Sequence, residues 1–437
     1  MVMKKVLSVL TTGVLMAGLM AGCSKPGESA GTTKKDPAKA NTEAVEAIQP
    51  EEGAKLLLWD NGGSEGKWAK AVAKEFTAKY NVPVKVAEVS HTDAAAKLKT
   101  DGPAGLGADV FDSAHDHLGE LVTAGLVRTN YFAPEYKGKY LDQALEASSY
   151  INPDTDKKEL YGFPIAVETY ALFYNKKLVQ EPATTWDDLL TQSKKITDKK
   201  QNKFGIMFEP SNYYFLHAFV GGYGGYEFGD NGTNAKDIGL NNDGAVKAGE
   251  FVKKIHDEVL PLKAEDITGD AIGSLFNENK LAYKITGPWD VEGLKKAKVD
   301  FGVVPLPKLD NGEPPKSFMG VKSYYVSAYT KYPKAATLLA QFASSKEMEQ
   351  KRFEMTGQLP AENTVLDSDV IKNDSILSAF LEQVKVATPM PSIPEMQSVW
   401  AAMGTAFTTI WNKGADVKQT LDNAVKQIQD GISSTQK

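Results

Sequence analysis

Arginine is nearly missing from this 437-residue chain: Arg128 and Arg352 are the only two among 50 basic residues. With 56 acidic residues the formal charge is −6. Nucleic-acid readers and phosphate-handling sites draw on arginine forks and positive stripes, so neither class is favoured. Cysteine is rarer still. Cys23 stands alone, so no internal disulfide can form and the fold must rest on its core. Five histidines are spread without an HExxH or similar pairing. Long apolar runs are confined to Val6–Gly22, which is short for a membrane span and broken by Gly13 and Gly18. Repeats at solenoid periods are absent. With 42% hydrophobic and 24% charged residues, what remains is an ordinary soluble composition with room for two or three domains.

The amino terminus is organised differently. Lys4 and Lys5 precede the apolar run, which ends Leu19-Met20-Ala21-Gly22-Cys23 and resembles the lipobox of bacterial lipoproteins. On that reading residues 1–22 are a lipoprotein signal peptide and Cys23 carries the lipid, whose two or more chains suffice for stable anchoring. An ordinary cleaved signal with a chance cysteine is the alternative. Residues 23–52 are rich in Gly, Ser, Thr, Ala, Pro, Lys and Glu, with Val45 and Ile48 the only large apolar side chains. Such a stretch is expected to be a flexible tether.

From residue 53 onward, strand-like and helix-like stretches alternate. Lys55–Trp59, Val82–Val89 and Ala108–Phe111 read as strands, and Trp68, Val72 and Phe76 fall at helical spacing. Thr185 followed by Asp188 predicts a capped helix start, and Leu118–Ala124 a helix closed by Gly125. The last third is mainly helical. Alternation of this kind argues for an α/β fold with mostly parallel sheets. Gly221-Gly222-Tyr223-Gly224-Gly225 lacks phosphate-loop spacing and is expected to be a turn after a helix. His115-Asp116-His117 puts two imidazoles on one face if it is a strand, but no metal or other cofactor is expected.

What the chain does have is aromatic residues beside prolines, small residues and carboxylates. Gly287-Pro288-Trp289-Asp290, Asn212-Tyr213-Tyr214-Phe215 and Pro389-Met390-Pro391 leading to Trp400 all fall at ends of expected elements. Sugars offer apolar C–H faces to aromatic rings and hydroxyl edges to Asp, Glu and Asn. Taken singly, each aromatic is as well explained as a core residue.

In order along the body, Lys55–Gly62, Ser113–His117, Phe163–Glu168 with Tyr174–Lys176, Asn212–Tyr226, Gly287–Trp289, Phe318–Val321 and Met390–Pro394 with Trp400 resemble the maltose/maltodextrin-binding proteins of bacterial ABC importers. The resemblance implies a two-lobe, periplasmic-binding-protein-like α/β fold with discontinuous lobes and a ligand cleft between them. Lobe one would comprise residues 53–166 and 324–369, and lobe two 170–318 and 376–437. Crossovers at 167–169, 319–323 and 370–375 would form the hinge. By matching positions it implies sugar-binding roles for Asn61, Asp116, Glu168, Tyr214, Trp289, Met390 and Trp400. Departures stand at Ser64 and Glu65 in the first loop, at Ser113 and His117 beside Asp116, at Asn212 in place of a carboxylate, and at Ala401 after Trp400. A small Ser113 would leave room for a wider ligand, so longer maltodextrins and cyclodextrins are both in view.

The implied function is a monomeric, lipid-anchored solute-binding protein outside the cytoplasm, on a Gram-positive-type cell surface. It would deliver α-glucan oligosaccharides to a membrane-embedded ABC permease, with no nucleic-acid partner. Binding of a different oligosaccharide is the closer rival. A glycoside hydrolase using Asp116 and Glu168 is the more distant one.

Overall fold

A computed structural model describes residues 48–435, so the expected signal peptide, Cys23 and most of the tether lie outside the described residues. Twelve strands are described: β1 (Leu56–Asp60), β2 (Val84–Glu88), β3 (Val110–Ala114), β4 (Ser149–Asn152), β5 (Lys157–Leu160), β6 (Phe163–Glu168), β7 (Ala171–Asn175), β8 (Phe204–Met207), β9 (Leu281–Thr286), β10 (Phe301–Val304), β11 (Phe318–Val326) and β12 (Thr388–Pro389). One sheet runs β12-β11-β3-β1-β2 with β6 also on β11, and a second runs β10-β7-β9-β8. β4 and β5 form a separate hairpin.

The sheets are mixed, not mostly parallel. β1 pairs in parallel with β2 and β3, and β8 with β9, through helical crossovers. β11 runs antiparallel to β3 and β6, and β7 antiparallel to β9 and β10. The physical reason lies in the connections. A strand reached from the other sheet, without a crossover helix on one face, enters at the opposite end and points the other way. The chain makes such passages between β6 and β7 and again along β11, whose Phe318 belongs to the second core while Met319 and Val321 belong to the first. The expected crossover at 319–323 is therefore an unbroken part of a nine-residue strand with every position buried.

Each sheet has its own core. Trp68, Val72 and Phe76 of the helix Gly63–Tyr80 pack on β1, β3 and β6 with Tyr324 of β11. Trp186, Phe219 and Phe251 pack edge to face in the second core, beside Trp411. Tyr213–Gly222 forms the expected helix, and Gly224 follows with a φ of +97°, confirming the turn.

The last residues of the expected tether are packed on the body. Ile48 packs against the first core, and both oxygens of the Glu51 carboxylate accept backbone N–H groups, from Lys334 at 2.8 Å and Ala335 at 2.9 Å. These are orphan donors at the start of the helix Pro333–Ala343, which has no side-chain cap of its own. Residues 48–52 thus belong to the body.

Thr185 caps the helix Trp186–Ile196 as expected, accepting the Asp188 N–H at 3.2 Å. Thr185→Ala should lower stability by about 1 kcal/mol, read as a shifted urea midpoint with an unchanged slope; an unshifted midpoint would show that the cap contributes nothing.

Candidate functional site

The carboxyl ends of β1, β3 and β6, the middle of β11 and the segments following β8 and β9 converge on a cleft of about 670 Å³. That volume lies within the range of ~300–1,000 Å³ usual for small-molecule sites. Gly320, Val321 and Lys322 of β11 contribute to its lining. Glu65, Asp116, His117 and Glu168 come from the side of the first sheet; Asn212, Tyr214, Trp289 and Trp400 come from the other, and Met390 follows β12 of the first sheet while packing in the second core.

Two residues expected there do not line it. Asn61 is spent on its neighbours: Oδ1 accepts the His91 N–H at 2.9 Å, and Nδ2 donates to Glu65. Ser64 precedes Glu65 on the helix Gly63–Tyr80, and one residue of helix turns its side chain about 100° away. Ser113 opens no extra room either. It is fully buried, and its hydroxyl lies 3.4 Å from the His91 carbonyl, while His91 and Thr92 occupy the cleft wall.

The six tryptophans separate cleanly. Trp59, Trp68, Trp186 and Trp411 are at most 2% exposed, whereas Trp289 and Trp400 are half-buried at the cleft. Trp400 meets Phe318 edge to face at 5.8 Å, and Tyr214 lies nearly parallel to the same ring at 6.1 Å. Phe318 is fully buried and holds both rings from behind. Trp289 sits on the short 3-10 turn Pro288–Asp290, with Asp290 paired to the buried Lys284 at 2.5 Å. A Cβ on Gly287 would come within 2.0 Å of the Trp289 ring, so this glycine is required by close approach.

His115-Asp116-His117 is a single 3-10 turn, not a strand, which removes the shared face a metal pair would need. His115 is fully buried and accepts the Val321 N–H on Nδ1 at 3.0 Å while Nε2 lies 2.9 Å from the Met390 carbonyl. Burial holds its pKa down, and the neutral ring links β3 to the Met390 segment. Asp60, Glu65 and Asp112 do bring oxygens together, but Lys322 and Arg352 already stand among them.

That charge cluster is the part the sequence did not reveal. The Lys322 ammonium lies 2.7 Å from Glu65, 3.7 Å from Asp112 and 3.8 Å from Glu168. Burial alone would raise the Glu65 pKa, yet Lys322 and Arg352 outweigh it and hold the carboxyl at about 2. Burial, with Asp60 nearby, wins at Asp112, which is pushed up to about 8 despite Lys322. Burial also dominates at His91, lowered to about 3 with Lys322 adding to the effect. Arg352 lies over the Trp68 ring at 4.3 Å.

Glu209 was missed as well. Asn212 caps the helix Tyr213–Gly222, its Oδ1 accepting the Tyr214 N–H at 3.1 Å, and its Nδ2 donates to Glu209 at 3.4 Å. The carboxylate absent at position 212 is thus supplied from position 209, at the end of β8. Its place just after a strand and before Pro210 was a usable signal. For Lys322 the signal was a lone charge in the apolar run Phe318–Val326.

Gly287→Ala should displace the Trp289 indole and cost about 1–3 kcal/mol of stability. Near-UV circular dichroism and the thermal midpoint measure both; unchanged values would mean that the ring yields freely.

Known proteins are similar along most of the chain. The galactooligosaccharide-binding protein of Bacillus subtilis is 35% identical over 399 residues, covering 90% of this chain and 93% of that protein. The maltooligosaccharide ABC transporter solute-binding lipoprotein of Streptococcus pneumoniae is 27% identical, covering 97% of this chain and 96% of that protein. The crystal structure of a cyclo/maltodextrin-binding protein complexed with maltotetraose superposes with a TM-score of 0.75 at 37% identity, covering 87% of this chain and 98% of that one. Its kin are two-lobe solute-binding proteins, not enzymes. A family model described as bacterial extracellular solute-binding protein matches residues 71–379, and the chain belongs to that family.

Proposed function

We propose that the protein captures maltodextrin-type α-glucan oligosaccharides, cyclodextrins included, and delivers them to an ABC permease. The observation that carries this reading is the cleft's pairing of half-buried rings with carboxylates. Trp289, Trp400 and Tyr214 offer flat apolar faces, while Asp116, Glu168, Glu65 and Glu209 offer acceptors around them. His117 and Met390 complete the wall. A further groove of about 430 Å³ continues past Trp400 over Ser211, Ala401 and Gly404, a path for chains longer than the cleft. The lobes are 53–166 with 324–369, and 170–318 with 376–437. They would close about segments 167–169, 319–323 and 370–375 as ligand contacts to both sides favour the closed state.

Calorimetric titration with glucose oligomers, cyclodextrins, galactooligosaccharides and unrelated sugars tests the assignment. Saturable binding of α-glucans is expected. A preference for galactooligosaccharides, the ligand named for the Bacillus relative, would transfer the cleft to the second reading. Trp289→Ala and Trp400→Ala should each weaken binding by about 2–4 kcal/mol while leaving the ligand-free thermal midpoint nearly unchanged. Wild-type affinity with a lowered midpoint would return that tryptophan to the core. Trp289 should be the more damaging loss, since its turn follows β9 directly and fixes the ring.

The protein acts as a monomer held to the outer face of a Gram-positive-type membrane through lipid on Cys23. The lipobox-like sequence and the lipoprotein name of the pneumococcal relative support this. Cys23→Ala should move the protein from the membrane fraction to soluble or unprocessed forms; an unchanged membrane fraction with the same fatty-acid incorporation would exclude the anchor.

A further inference from the structure

Lys322 is the one charged side chain on β11, and it is 2% exposed. Its strand neighbours in register are Ala114 on β3 and Ala166 on β6, whose small side chains leave space for it. Ala114 also lines the cleft, so Lys322 rises on the cleft face of the sheet. A register shift against β6 falls immediately after it, a device that re-aims a side chain. An ammonium removed from water in this way persists only with anionic partners.

Those partners are cleft carboxylates. Glu65 arrives on the helix Gly63–Tyr80 and Glu168 at the end of β6, and the Gln358 amide nitrogen donates to both, at 2.9 Å to Glu65 Oε1. Lys322 and Gln358 thus clasp two acids that would otherwise repel. Glu168 Oε2 has no hydrogen bond among the described residues. Behind them Asp112 of β3 and Asp60 of β1 face the same ammonium, and Arg352 supplies the second cation. His91 and His117 close the rim.

We propose that Lys322 is the positioning residue of the cleft, holding Glu65 and Glu168 as two separated acceptors for the hydroxyl edge of a bound saccharide. The assignment rests on the saccharide reading above. Without the ammonium, two acids bridged by one amide and backed by Arg352 would take up a proton. One acceptor would then become a donor, and a ligand needing both acceptors would have to expel that proton. Burial already raises the Glu168 pKa, so losing a cation moves it further up.

The test compares wild type with Lys322→Met, Lys322→Arg and Gln358→Met. Maltotetraose affinity should fall on the order of 30-fold in Lys322→Met. It should decline more steeply than in wild type between about pH 7.5 and 5.5, with proton release on binding read from calorimetry in two buffers. Lys322→Arg should recover most of the loss. In the ligand-free protein, carbon-13 titration of the Glu168 carboxyl should move upward in Lys322→Met, a result independent of which sugar binds. If Lys322→Met does not fold, Gln358→Met carries both measurements, with the same directions expected. Failure of wild type to bind any α-glucan counts against the saccharide reading alone, and the carboxyl titration still decides the role of Lys322. An unchanged titration overturns the proposal. So does an affinity loss that is uniform across pH and not recovered by arginine.

Discussion

A buried ammonium ringed by acids is the constraint on which the cleft depends. Lys322 would be an error in the middle of β11 if the strand were only a core element, because the eight other residues of that strand are uncharged. Three carboxylates from three separate segments lie within 4 Å of it, and each is itself drawn out of water. Removing either sign alone leaves the other stranded, which is the condition under which buried pairs matter most. The cluster therefore locks the helix Gly63–Tyr80, β3 and β6 to β11 at the place where ligand arrives.

The aromatic half of the cleft follows a different rule. Trp400 and Tyr214 lean on Phe318, and His217 stacks on the same ring at 3.6 Å. His217 in turn lies 2.7 Å from Glu227, whose pKa is lowered although burial alone would raise it. One buried phenylalanine thus transmits the rigidity of the second core to surfaces that face solvent. Charge fixes one wall and ring packing fixes the other. Phe318 and Lys322 stand four residues apart on a single strand.

Much of this was legible in the chain itself, and the failures have physical causes. Strand and helix positions followed from periodicity, and Thr185 announced its helix through a local capping pattern that needs no tertiary information. Most of the cleft residues came from short motifs in order. Asn61 and Ser64 failed because neighbouring positions in a loop and helix start are a single turn apart, and the side chain that wins, Glu65, is chosen by Lys322 from far along the sequence. Strand direction failed because it depends on which sheet the chain has just left. Glu51 was assigned to a tether because composition cannot show that its carboxylate caps the start of a helix nearly three hundred residues later.

The division of the tryptophans also has an optical side. Four indoles are sealed in the cores, in surroundings that a ligand in the cleft does not touch. Only Trp289 and Trp400 border the cleft, so these are the two rings that a ligand filling it touches directly. The molecule carries its own two-lamp gauge of occupancy, one lamp on a turn beside β9 and the other on the helix Gln397–Lys413.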